Sequence, residues 1–231
     1  MKHGHFEISL YLRSLLGQYP RLFYPIYSLT PKNRKLSVSR HTDLVIEGFP
    51  RSANTFAVAA FKCAQNKELE IAHHMHVSAQ VIRASKLNIP TIVLIREPKD
   101  AVISLVIRDP SVSLDHALKM YVIFHETILP YKSSFILAPF ETVINNYSTV
   151  IERLNLKFNT SFIPTTPRGE ELKTIFEKID SFEEHSETRT SRPTASKKHL
   201  KSKLLLDLEH SRYQALFERC ENIYNHLLSP M

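Results

Sequence analysis

Residues Asp43 to Phe56 read DLVIEGFPRSANTF: a short apolar run, a turn opened by Gly48, and the start of an alanine-rich helical run. A strand that ends in a tight turn and feeds a helix is how a phosphate-cradling loop begins. The first N–H groups of the helix lack intrahelical partners and point at whatever sits in the turn. From Gly48 through four residues to Ala53, Asn54 and Thr55, the register copies that of a nucleoside-triphosphate loop, GxxxxGK(S/T). The residue types differ. Ala53 stands at the second glycine and Asn54 at the lysine, while a basic residue, Arg51, comes earlier. The loop is therefore expected to hold an anion other than ATP with magnesium.

Glycine is scarce, with only 4 in the chain, so one placed at the strand-to-loop junction marks a position where a Cβ would interfere. Beyond the loop, strand and helix patterns alternate. Thr55–Gln65 reads as a buried helix, Leu69–His74 as a strand and Val77–Leu87 as a helix. Thr91–Arg96 is the clearest strand, continuous and β-branched between Pro90 and Pro98. Lys99–Arg108 and Leu114–Tyr131 read as helices, Ser134–Phe140 as a strand and Glu141–Leu154 as a helix. Such alternation predicts βαβ units: an α/β three-layer sandwich around a central parallel β-sheet, like that of P-loop NTPases. Ligands of such sheets sit outside the carboxyl ends of the strands, which places Gly48–Phe56 and Arg96–Ser104 on one side.

The 231 residues, 43% apolar and 23% charged, fit one soluble domain, residues 1–231. Residues 1–42 form a helical, aromatic N-terminal segment, 181–203 a mobile basic loop, and 204–228 a C-terminal helix. The net charge of +7 suits an anionic partner. Two distant cysteines, Cys63 and Cys220, make neither a disulfide framework nor a metal motif; Cys63 is expected as a buried thiol. A reducing, cytoplasmic compartment is the expectation. No apolar run reaches the roughly 18 residues that span a bilayer. The basic, aromatic N-terminus either packs on the core or makes peripheral contact with a membrane surface.

A second segment carries chemistry. Arg96 ends the strongest strand, Pro98 suits the first helical position, and Ser104 lies about two turns into the helix. Arg and Ser so spaced clamp a phosphate from two directions; the plainer alternative is a surface Arg paired with Glu97 or Asp100.

The loop and this segment together resemble the sulfotransferase family that uses 3′-phosphoadenosine 5′-phosphosulfate (PAPS). Its PKSGTTW-type loop binds the 5′-phosphosulfate, and its RxPxDxxxS segment, with the same eight-residue spacing as Arg96 and Ser104, binds the 3′-phosphate. The resemblance runs from about Asp43 to about Phe162. It implies that Arg51 contacts the sulfuryl bridge and that Ser52, Ala53, Asn54 and Thr55 bind phosphate. Phe56 lies near the adenine, and Arg96 and Ser104 hold the 3′-phosphate. The family's general base is a histidine in a KTH-like element. Here that region reads Ala72-His-His-Met-His76, with His76 the first candidate and His74 and His73 the next. The C-terminal RKGxxGxxK loop has no glycine match; Arg192, Lys197 and Lys198 lie in the corresponding basic stretch. Ala53 replaces the usual glycine but keeps its N–H, so anion binding is expected to survive if its φ is negative.

The implied activity is transfer of a sulfuryl group from PAPS to a hydroxyl or amine of a small-molecule, glycan or lipid acceptor. Adenosine 3′,5′-bisphosphate is the product, and neither metal nor nucleic acid takes part. A P-loop kinase needs a lysine where Asn54 stands. A non-catalytic nucleotide- or nucleic-acid-binding module draws on the positive charge and predicts steep salt dependence. Neither the acceptor nor the oligomeric state is legible.

Overall fold

The computed structural model describes residues 10–29, 31–183 and 195–230. The chain enters through α1 (residues 10–16), α2 (Pro20–Tyr27) and α3 (Pro31–Leu36). Then come β1 (Leu44–Gly48), α4 (Asn54–Ala64), β2 (Ile71–His73), α5 (Ser78–Leu87) and β3 (Thr91–Ile95). Helices α6 (Pro98–Arg108) and α7 (Leu114–Ile128) lead through a 3₁₀ turn to β4 (Ile136–Pro139). The remaining described elements are helices: α8 (Phe140–Asn145), α9 (Tyr147–Phe158), α10 (Gly169–Glu183), α11 (Ala195–Leu208) and α12 (Ser211–Leu228).

The four strands are all parallel, in the order β2-β1-β3-β4. This is the α/β class expected from the alternating pattern. Every residue of β1 and β3 is buried, which is why both read as unbroken apolar runs. Successive side chains go to opposite faces. Ile92 and Leu94 join Leu44 and Ile46 beneath α4, α9 and α10. Val93 and Ile95 join the core under α6, α7 and α12. Val45 packs with Phe23 of α2 and Ala79 of α5.

The chain leaves β1 toward β2, then returns to the opposite side of β1 as β3. Neighbouring connections diverge at that point and leave a crevice above the strand ends. Gly48 pairs with Leu94 there, and a Cβ at Gly48 would stand 2.5 Å from the Leu94 carbonyl oxygen. The glycine is needed because two strands meet closely at their carboxyl ends; its φ is not positive.

Several expectations need correction. Residues 181–183 complete α10 and 195–203 belong to α11, so the chain is helical at both ends of the stretch read as a loop. A high density of Ser, Thr and charge does not preclude helix when Leu204 and Leu208 pack on the core. The C-terminal helix is two helices, broken at His210, whose ring accepts the Arg212 N–H at 3.4 Å. The predicted helix Glu141–Leu154 breaks at Asn146 (φ −154°, ψ 54°) into α8 and α9. Helix α10 has no counterpart in the sequence reading. Cys63 is exposed and accepts the Lys178 ammonium at 3.4 Å, whereas Cys220 is buried against the Leu118 carbonyl.

Gly48→Ala is expected to lower unfolding stability by about 1–3 kcal/mol in chemical denaturation, because neither backbone can retreat without breaking the β1–β3 ladder.

Candidate functional site

The loop after β1 bends twice through the left-handed region. Arg51 has φ 69° and Ala53 φ 67°. Bulky and Cβ-bearing residues enter this region at a cost, and such strain concentrates where a site is held in one shape. The condition set for Ala53, a negative φ, is therefore not met. A glycine would take this conformation freely, and the alanine takes it with strain. Ala53 precedes α4 without any side-chain cap, so the first N–H groups of that helix remain directed at the turn.

The loop side chains also make contacts within the protein. The Asn54 amide donates one of its two N–H groups to the Phe49 carbonyl at 2.9 Å, bracing the loop internally. Thr55 Oγ1 lies 3.1 Å from His74 Nε2. Ser52 is wholly buried, and its hydroxyl has no hydrogen-bond partner among the described residues. Such an orphan is the kind of group that an incoming anion satisfies.

Arg51 and the second segment interlock. Arg51 Nε donates to Ser104 Oγ at 3.0 Å, and Arg96 Nη1 donates to the Arg51 carbonyl at 3.1 Å. Arg96 is further fixed by Asp100 at 3.8 Å and by the Phe140 ring, 4.1 Å from its guanidinium carbon. Burial pulls the Arg96 pKa below its ordinary value, with Asp100 opposing the shift. Tyr121 donates its hydroxyl to the Arg96 carbonyl at 2.7 Å, pinning the end of β3. Two stretches some 45 residues apart thus form one unit.

A cavity of about 540 Å³ opens over this unit. Arg51, Ala53, Asn54, Thr55 and Phe56 line it, as do His74, His76 and Arg96. Ser52 and Ser104 do not; Ser104 acts through Arg51. Phe56 is 8% exposed and faces the Phe176 ring at 6.1 Å. A volume of this size suits a nucleotide-scale ligand.

The histidine turn follows β2. His74 (φ 57°) and His76 (φ 52°) both take left-handed conformations. His76 Nδ1 lies 2.8 Å from the Gly48 carbonyl, which can only accept, so Nδ1 carries the proton and Nε2 keeps its lone pair. Burial holds the His76 pKa down to about 3, aided by His74, so the ring is neutral at pH 7. His73 and His74 share one proton between Nδ1 atoms 2.6 Å apart. Burial depresses His73 to about 3 and His74 to about 4.

Glu47, the penultimate residue of β1, was overlooked. It is completely buried. Its carboxylate accepts the backbone N–H of Gly48 (3.1 Å), Met75 (3.0 Å) and His76 (3.0 Å), and the Gln80 amide at 3.4 Å. Desolvation drives its pKa up to about 7 against the pull of those N–H groups. A single acid in an otherwise apolar strand was the available signal. Phe140 and Tyr121 were also missed; each follows or abuts a strand end on the same side. Among the described residues no group of His, Cys, Asp or Glu is placed to hold a metal ion. Arg192 and the side chains of Lys197 and Lys198 lie outside the described residues.

Ala53→Gly should relieve the left-handed strain and raise stability by about 1 kcal/mol in denaturant unfolding. Glu47→Gln replaces an oxygen that still accepts when protonated by an amide nitrogen that cannot accept, facing three N–H groups, and should cost about 1–3 kcal/mol. The cost is pH-dependent. The folded state holds the Glu47 proton up to about pH 7, while the unfolded chain loses it near the ordinary value of 4.5. The parent's advantage over the variant is therefore greatest below about pH 4.5 and shrinks as pH rises to about 7 in thermal melts.

No family model matches the chain, and no curated protein matches it. Among solved structures it is similar to mouse sulfotransferase SULT7A1 complexed with PAP. The TM-score is 0.41 and the identity 12%, over 80% of this chain and 91% of that one.

Proposed function

We propose that the chain is a sulfotransferase that takes its sulfuryl group from PAPS. The observation that carries this reading is the Arg96–Arg51–Ser104 interlock. It joins the two motif segments under one cavity, with the neutral His76 on the same wall. The loop has no lysine and braces itself with Asn54, which fits a donor that arrives without magnesium. The uncapped start of α4 fits an anion there.

In this reading the acceptor hydroxyl or amine attacks sulfur. A new S–O or S–N bond forms as the bond from sulfur to the bridging phosphate oxygen breaks. His76 Nε2 takes the acceptor proton. Arg51 and the N–H groups at the start of α4 stabilise the charge that develops on the departing oxygen. Arg96, with Ser104 holding Arg51 in register, receives the 3′-phosphate. The acceptor is a small molecule, glycan or lipid.

Calorimetry with adenosine 3′,5′-bisphosphate, ADP and ATP, all without magnesium, tests the reading. The bisphosphate should bind most tightly. Arg96→Ala should weaken it by about 2 kcal/mol, roughly thirtyfold, through loss of a charged contact. His76→Ala should leave its affinity within about threefold, because the base meets the acceptor rather than the nucleotide. Equal or tighter binding of ADP or ATP would sink the proposal.

A further inference from the structure

Helices α1 and α2 carry large apolar side chains on the outside of the protein. Leu12, Leu16, Tyr19, Leu22, Ile26 and Leu29 are 40% to 73% exposed. Leu12 and Leu16 lie one turn apart in α1, Leu22 and Ile26 one turn apart in α2, and Tyr19 and Leu29 stand just before and just after α2. The other side of α2 is also apolar: Phe23 and Tyr24 are buried, and Tyr27 stacks on Phe23 with centroids 4.7 Å apart. A surface helix apolar on both sides needs a second apolar medium, and exposed patches of this kind mark interaction sites.

The charges within this stretch of the chain are of one sign. From Leu10 to Thr42 there is no Asp or Glu, while Arg13, Arg21, Lys32, Arg34, Lys35 and Arg40 all occur. Arg21, Arg34, Lys35 and Arg40 are exposed. The segment is fastened to the body. Tyr24 donates to Gln80 Oε1 at 3.2 Å, Val38 N–H to the same oxygen at 2.9 Å, and Gln80 returns a bond to the Leu36 carbonyl at 2.9 Å. The face is thus preformed.

We infer that α1 and α2 are a docking face for an anionic lipid surface, with the aliphatic stripe entering the headgroup boundary and the cations meeting lipid phosphates and carboxylates. No helix of the described residues is long and apolar enough to cross a membrane, so the contact is peripheral. A second copy of the chain is a poor occupant. A two-fold contact sets each face against itself and brings cation against cation. Protein hot spots favour Trp, Tyr and Arg and under-use Leu, which dominates here. Helix α1 also supplies Leu10 and Arg13 to the cavity wall, so the docking face and the site share an element. The inference does not depend on the reaction performed there.

Co-sedimentation of the full chain with vesicles of phosphatidylcholine, alone or with about one-third phosphatidylserine, tests it. Partitioning should be roughly tenfold greater onto the anionic vesicles and should fall as salt is raised. Leu22→Glu with Ile26→Glu should cut it roughly tenfold while circular dichroism stays unchanged, since both side chains are exposed. Arg34→Glu with Lys35→Glu should lower binding to the anionic vesicles only. Failure of the parent to bind, or binding of the Leu22/Ile26 variant at parental strength, would overturn the inference. So would a concentration-dependent dimer, seen by sedimentation velocity and abolished by that variant, without vesicle binding.

Discussion

The site is organised around one buried carboxylate. Glu47 ends β1 with its neighbour Gly48 and receives N–H groups from both sides of the crevice: Gly48 on the loop, Met75 and His76 on the histidine turn. Two left-handed residues flank Met75, and a turn of that shape leaves N–H groups that need an acceptor. Glu47 supplies it. Through Gln80 the same carboxylate reaches Leu36, Val38 and Tyr24, so the N-terminal segment, α5, the loop and the histidines form one hydrogen-bonded assembly. Burying a charge so deeply is costly, and the raised pKa of about 7 expresses that cost. The several N–H donors offset part of it.

Strain and order go together in the site. Of the six non-glycine residues with positive φ among the described residues, four lie in the two turns that face the cavity: Arg51, Ala53, His74 and His76. Close packing beneath the loop, where Phe49 meets Tyr121 with centroids 5.1 Å apart, and the Asn54 brace hold the chain there. A loop fixed in advance loses little further freedom when it takes a ligand. Arg51 is pre-positioned too, since Ser104 and Arg96 grip its side chain and its carbonyl respectively.

Much of this arrangement was legible in the residue order. The continuous runs of β1 and β3 announced strands buried on both faces, and the alternation with helices announced a parallel sheet. Gly48 stood out because glycine is rare in the chain. Arg96 and Ser104 stood out by spacing. The loop and the Arg96 segment were expected on one side because both follow strand ends. Other features were hidden. Helix α10 and the early start of α11 escaped because polar, charged stretches give weak periodicity, and their few apolar residues, Ile175, Ile179, Leu204 and Leu208, count only once a core exists to receive them. The contacts of Asn54 with Phe49 and of Thr55 with His74 were not foreseen, because a side chain's partner depends on the folded neighbourhood rather than on spacing.

The sequence by itself determined the fold class, the phosphate-loop register and the residues that gather at the strand ends. These follow from period, polarity and spacing, which are local properties. The tertiary structure alone decided which atoms remain available. It tied one N–H of the Asn54 amide to Phe49, gave Thr55 to His74, set Nδ1 of His76 against Gly48, left the Ser52 hydroxyl without a described partner, and turned Ala53 left-handed. Hydrogen-bond valence is limited, and how it is shared out depends on the three-dimensional neighbourhood rather than on the order of residues.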